Sequence, residues 1–190
     1  MKRRITISHS INPFSPREDD NIGIMACSHS RYNLGDDDQD PQDIPDDAIA
    51  QLPLYLYDHS GITMNTTGFS CGWDSGQVGV IYITPERIAE VYDGHPIPTV
   101  EKLQEYLRSE VEVYYLYLRG EVFGFLIEEC NHCDSCNHDE WKHVDSCSGF
   151  FGRDWKDNGL LDHVDIPAVI AEGLEVDESI EYEVIETEII

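Results

Sequence analysis

The chain has 190 residues, enough for one domain with a real core, and sets 38 acidic residues against 12 basic ones for a formal net charge of −26. A surface that negative repels nucleic acid and anionic lipid, which disfavours direct binding to either. Two uses of the charge remain: the carboxylates stand in for DNA phosphates in the basic groove of another protein, or they keep the chain solvated in a cytoplasm at high salt. Lysine occurs only at Lys2, Lys102, Lys142 and Lys156, beside eight arginines, which favours salt adaptation.

The opening MKRRITISHSINPF alternates polar and apolar residues without an apolar run of signal-peptide length, and no later segment approaches a membrane span, so a cytoplasmic protein is expected. In that compartment six cysteines read as thiols or metal ligands rather than structural disulfides. Residues 3–7 and 21–27 predict short strands. GDDDQDPQDIPDD (35–47) follows, with Asp36, Asp37, Asp38, Asp40, Asp43, Asp46, Asp47 and two prolines. It lacks the apolar surface to hold a fixed shape alone, so it is expected as an exposed loop and as the partner-binding candidate.

LPLYLYD (52–58) and QVGVIYIT (77–84) predict two central strands. Thr84-Pro85-Glu86 supplies an N-cap, a first-turn proline and an early acid for a short helix that closes at Asp93-Gly94. Thr99 caps a second helix, in which Val100, Leu103, Leu107, Val111, Tyr114 and Leu118 form one apolar stripe. EVFGFLIEE (121–129) predicts a strand, Asp165 a cap for a short helix through Ile170, and SIEYEVIETEII (179–190) a closing strand with a bulge or an edge at Val184-Ile185. Together these predict a single α+β domain over 1–190: a mostly antiparallel sheet with two or three helices on one face and a Cys/His-rich metal-binding insertion at 130–147.

That insertion, CNHCDSCNHDEWKHVDSC, carries two overlapping C-x2-C units, Cys130/Cys133 and Cys133/Cys136, followed by Cys147, with His132, His138 and His143 between. A C-x2-C turn aims two thiolates at one centre, and a second pair from a following turn closes a tetrahedral zinc site. Structural zinc is therefore the expected cofactor, bound by Cys130, Cys133, Cys136 and Cys147, with His138 and His143 as alternates. An iron–sulfur cluster fits less well, because the fourth cysteine of a ferredoxin run should stand three residues on and be followed by proline.

Between the two central strands, DHSGITMNTTGFSCGWDSG (58–76) is a long glycine-containing loop that gathers Cys71, His59, Asp58 and Asp74. These are the residue types of a thiol nucleophile, a base and an orienting carboxylate. The bland alternative is favoured: Asp58 and Asp74 make Asx turns, His59 packs, and Cys71 is buried beside Phe69 and Trp73 against the strands.

The runs RYNLGD (31–36), LPLYLYDHSGITMNTTGFSCGWDSGQVGVIYIT (52–84) and DSCSGFFG (145–152) resemble an uncharacterised family of small proteins of phages, plasmids and integrative elements, with WDSGQVG as the distinctive core. The resemblance implies an accessory gene of a mobile element acting in a host cell, many of which counter host defence, and carries no activity. Three functions compete: a non-enzymatic, acidic DNA-mimic inhibitor of a host nuclease, using the 36–47 run and the acidic segment from Glu172 to Glu188; a halophilic viral accessory or assembly protein; and a small Cys71/His59 hydrolase. The partner in the first is a nucleic-acid-binding protein complex, with neither nucleic acid nor membrane bound directly.

Overall fold

The computed structural model describes residues 2–36, 40–133, 138–164 and 181–187. In chain order the elements are β1 (Lys2–His9), a 3₁₀ turn (Pro16–Glu18), β2 (Ile24–Cys27), β3 (Ala50–Asp58), β4 (Ile62–Asn65), β5 (Ser75–Ile83), α1 (Pro85–Tyr92), α2 (Val100–Leu118), β6 (Val122–Cys133), β7 (His138–Phe151), α3 (Leu160–His163) and β8 (Glu181–Thr187). The chain is α+β, as its patterning predicts, and every strand pair is antiparallel except β1 with β8. No helix among the described residues is long and apolar enough to cross a membrane.

The chain forms two compact units, one of Phe14–Arg119 and the other of Met1–Pro13 with Gly120–Ile190. The physical reason is that the apolar residues divide between two sheets, whose clusters have no residue in common. In the Phe14–Arg119 unit the strand order is β2-β5-β3-β4. Alternation along β3 buries Ala50, Leu52, Leu54 and Leu56, and the α2 stripe lays Leu103, Leu107, Val111 and Tyr114 into the same core. Each fully buried Leu or Ile contributes roughly 1.5–3 kcal/mol by leaving water. Both helix caps are as predicted: Thr84 and Thr99 accept hydrogen bonds from Arg87 N and Lys102 N. Val100, placed on the stripe by spacing, is 44 % exposed.

A buried ion cluster closes one side of this unit. The Arg17 side chain is 4 % exposed and meets Asp36 through two hydrogen bonds, Nε to Oδ1 at 2.7 Å and Nη2 to Oδ2 at 3.0 Å, and Glu110 through Nη1 at 3.0 Å. Asp36 also accepts from Met25 N at 2.8 Å, and Glu110 from Ile22 N at 2.8 Å, so both carboxylates bind β2 and its approach as well as the guanidinium. Burial opposes the charge on Arg17, and its two carboxylate partners more than offset that, leaving the guanidinium harder to deprotonate than an exposed one. Gly35, beside the cluster, has φ +79° and runs so close to Met25 that a Cβ would stand 2.4 Å from its carbonyl oxygen.

In the other unit the order is β7-β6-β1-β8. Ile5 and Ile7 of β1 and Phe123, Phe125 and Ile127 of β6 pack with Leu160 of α3. Arg3 and Arg4 lie opposite Glu129 and Glu128 and bond to them across the strands, Arg4 Nη2 at 2.6 Å from Glu128. The 130–147 stretch, expected as an insertion, largely continues two strands of this sheet, with Cys130–Cys133 ending β6 and His138–Cys147 lying in β7. The helix expected from Asp165 lies outside the described residues, and the short helix α3 precedes it. The closing strand is present as β8, at the edge beside β1.

Truncating Arg17 would strand two carboxylates in a partly buried site. We expect Arg17→Ala to cost about 3–5 kcal/mol in urea unfolding, and Asp36→Asn less, because the guanidinium keeps Glu110. A loss below about 1 kcal/mol for Arg17→Ala would show that the cluster does not hold the unit together.

Candidate functional site

Three sets of residues were singled out by spacing, and the backbone treats each differently. In the 58–76 stretch the chain does not loop freely. β4 pairs back on β3 through Asp58↔Ile62 to Tyr55↔Asn65, and Asn65 Oδ1 accepts from Thr67 N and Gly68 N to form the turn beyond it. The Asx turn is therefore at Asn65, where Asp58 and Asp74 were expected to supply one. Instead Asp58 pairs with Arg31, and Asp74 Oδ2 lies 3.1 Å from His59 Nδ1. The backbone joins the two segments directly, with Asp58 N donating to Asp74 O at 2.8 Å.

Phe69 packs on Tyr57, with ring centroids 5.5 Å apart, as its apolar character predicts. Trp73 does not pack. It is 97 % exposed, which corrects the expectation that it and Cys71 are tucked together against the strands: β5 begins only at Ser75, and residues 72–74 stand outside the sheet. Cys71 is half-buried, its carbonyl accepting from Ser75 Oγ. Among the described residues no hydrogen bond joins Cys71 to His59. The His59–Asp74 pair thus has the orientation of a base with its positioning carboxylate, while Cys71, the candidate nucleophile of the less favoured reading, is not bonded to it.

Beside this pair is a cleft of about 360 Å³, lined by Ser28, Arg31, Asp58, Trp73, Asp74 and Gln77 among others. Sequence spacing missed Arg31, because its partner Asp58 is 27 residues away and only the sheet brings them together.

The acidic run divides. Asp36 is already paired with Arg17, its side chain 22 % exposed. Asp37 and Asp38 lie outside the described residues. Asp40, Asp43, Asp46 and Asp47 are exposed, with Asp40 Oδ1 accepting from Gln42 N to hold a turn. Among the described residues none of these four makes an ion pair.

The cysteine-rich stretch is separated by register. Cys130 faces Trp141 and Cys133 faces His138, whereas His143 faces Glu128 and Cys147 faces Phe125. Phe125 is five residues before Cys130 on one strand, so Cys147 is displaced from Cys130 by about 17 Å along the hairpin. Cys130 and Cys133 are joined by strand rather than by the tight turn their spacing predicts, about 10 Å apart along it. His143 Nε2 is engaged 3.0 Å from Ser146 Oγ. Cys136 lies outside the described residues, as do Glu172, Glu175, Asp177, Glu178 and Glu188 of the acidic C-terminal segment. Among the described residues no group of three or more His, Cys, Asp and Glu side chains is placed to hold a metal ion.

Thiol chemistry tests the loop. Burial, with the Asp36 carboxylate adding to it, pushes the Cys27 thiol up from 9.0 to about 12. At pH 8 that leaves about 1,000-fold less thiolate than an ordinary thiol has, so Cys27 should react with iodoacetamide last, its rate rising with pH well past the usual range. Cys71 should react ahead of it, at a rate that His59→Ala changes less than twofold. Peptide mapping of the alkylated protein reads both, and a large drop at Cys71 on His59→Ala would join the two residues in one catalytic unit.

No protein-family model, no curated protein and no solved structure matches this chain, so the resemblance to a mobile-element family rests on the quoted motifs alone.

Proposed function

We propose that this is a non-enzymatic accessory protein of a virus or mobile element that acts by binding a basic, nucleic-acid-binding partner in a host cell, its carboxylates taking the place of phosphates. The observation that carries the reading is the stretch Asp40–Asp47, where four exposed aspartates make no ion pair among the described residues, in a chain of net charge −26. Charges left unpaired in this way attract a basic surface over a Debye length of about 8 Å at physiological salt. A second reading, in which the charge serves only solvation at high salt, draws support from other exposed acids, such as Glu86, Glu101 and Glu112 on the helices.

Neutralising equal numbers of charges separates the two. In a fluorescence assay at about 0.15 M salt, the protein should displace labelled duplex DNA from a histone-like basic protein. The triple change Asp43→Asn, Asp46→Asn, Asp47→Asn should weaken displacement about tenfold, and the matched change Glu86→Gln, Glu101→Gln, Glu112→Gln less than threefold. Equal losses would mean that only bulk charge acts, and the solvation reading would take its place.

We further propose one structural zinc where β6 ends and β7 begins, with Cys133, Cys136 and His138 among its residues. Backbone pairing of Cys133 with His138 supports this set, since facing residues in an antiparallel pair have Cα atoms about 5 Å apart. Bound zinc would hold the ends of β6 and β7 together. Elemental analysis after purification without added metal should give about one equivalent, lost in Cys133→Ser and Cys136→Ser and kept in Cys147→Ser. Metal lost in Cys147→Ser but kept in Cys133→Ser would contradict the proposed set.

A further inference from the structure

The cleft beside β3 and β5 combines features that the acidic stretch lacks. Its rim carries the Trp73 indole, 97 % exposed, an apolar surface left in water next to polar walls. Its charges do not balance: Asp58 and Asp74 against Arg31 leave one net negative charge when the histidines are neutral. Arg31 is held on Asp58, whereas Asp74 meets only the His59 ring, through Oδ2, and its other oxygen has no hydrogen bond among the described residues. Asp74 is 44 % exposed, so a ligand reaches it without unfolding anything.

We infer that this cleft is a recognition pocket for a single organic cation, a guanidinium or alkylammonium group, which stacks on Trp73 and pairs with Asp74. Tryptophan is the best cation–π partner among the aromatic side chains, and a flat guanidinium can use the ring face and a carboxylate together. An anion would be repelled twice, by the residual charge of the cleft and by the field of a chain at −26. A neutral ring could stack on the indole but would leave the Asp74 charge without a partner. A space of about 360 Å³ takes an alkylguanidinium with its stem. Such a group is found on a free small molecule or on an arginine side chain of another protein. The pocket stands whether or not Asp40–Asp47 binds a partner, because a free cation suffices to fill it.

The probes are agmatine for the free source and the capped tripeptide Gly-Arg-Gly for the side-chain source, at constant ionic strength. The readout is the indole N–H signal of Trp73 in the ¹H–¹⁵N spectrum, identified by its disappearance in Trp73→Phe; at 97 % exposure that residue supports no packing, so the variant keeps its fold. We expect a saturable shift at Trp73 with Kd of about 1–10 mM, confined to that indole while Trp141 and Trp155 stay still. Asp74→Asn should weaken binding at least fivefold, Glu112→Gln should leave it unchanged, and neutral N-butylurea should not bind. Tighter binding of the tripeptide than of agmatine would assign the pocket to a protein arginine, and the reverse to a free guanidine. Equal binding of N-butylurea, shifts spread over all three indoles, or no effect of Asp74→Asn would overturn the proposal. Loss of DNA displacement in the loop variants with agmatine binding intact would separate this pocket from the acidic stretch.

Discussion

The Phe14–Arg119 unit depends on a buried guanidinium. Arg17 gathers Asp36, Glu110 and the Gly23 carbonyl, and so ties the 3₁₀ turn, the chain on both sides of β2, and α2 to one point. Removing an arginine and two carboxylates from water is costly, and an apolar trio of similar volume would often be as stable. What the ionic version supplies is direction. Each carboxylate bridges the guanidinium and backbone N–H groups of β2 or its approach, which fixes the segment returning from β2, and the Gly35 N–H completes the arrangement by donating to the Tyr114 hydroxyl at 2.9 Å. The stretch anchored at Asp36 is the one that carries Arg31 and the Ser28–Arg31 wall of the cleft. A cluster that looks structural therefore also sets the shape of the candidate binding site.

That cluster had one visible trace in the sequence. Glu110 stands three residues after Leu107 and four before Tyr114, on the apolar stripe of α2, where an acid is out of place unless something meets it. Local periodicity shows such a residue but not its partner, which lies 93 positions away. The same division runs through the molecule. Caps, the α2 stripe and most strands were legible because they depend on neighbours within a few residues. The existence of two sheets was not, since β1 pairs with β6 across about 120 residues and nothing local distinguishes a strand of one sheet from a strand of the other.

The cysteine-rich stretch fails in a more instructive way. Spacing treats C-x2-C as a turn, yet the same residues also continue a strand, and the pairing of β6 with β7 decides between the two. Once that register is fixed, density in the sequence no longer means density in space. Seventeen positions separate Cys130 from Cys147, and the hairpin folds only its closed end together, which leaves Cys147 far along β7 and brings His138 across from Cys133. Trp73 shows the converse: aromatic character suggested burial, but the residue follows Gly72 and precedes the first pair of β5, so it has no sheet face to occupy.

Charge and shape together weigh binding against catalysis. Several arginines are committed within the fold, Arg3 and Arg4 to cross-strand glutamates, Arg17 to its cluster and Arg87 to Glu90 and the Asn21 carbonyl. Exposed acids such as Asp43, Asp46 and Asp47, which make no ion pair among the described residues, face solvent or a partner, and the field they create selects what can approach. In the cleft that field meets an exposed indole and a carboxylate whose only hydrogen-bond partner among the described residues is a histidine. A receptor for a positively charged group needs an aromatic face, an accessible carboxylate and an open mouth, and Trp73, Asp74 and the cleft offer all three.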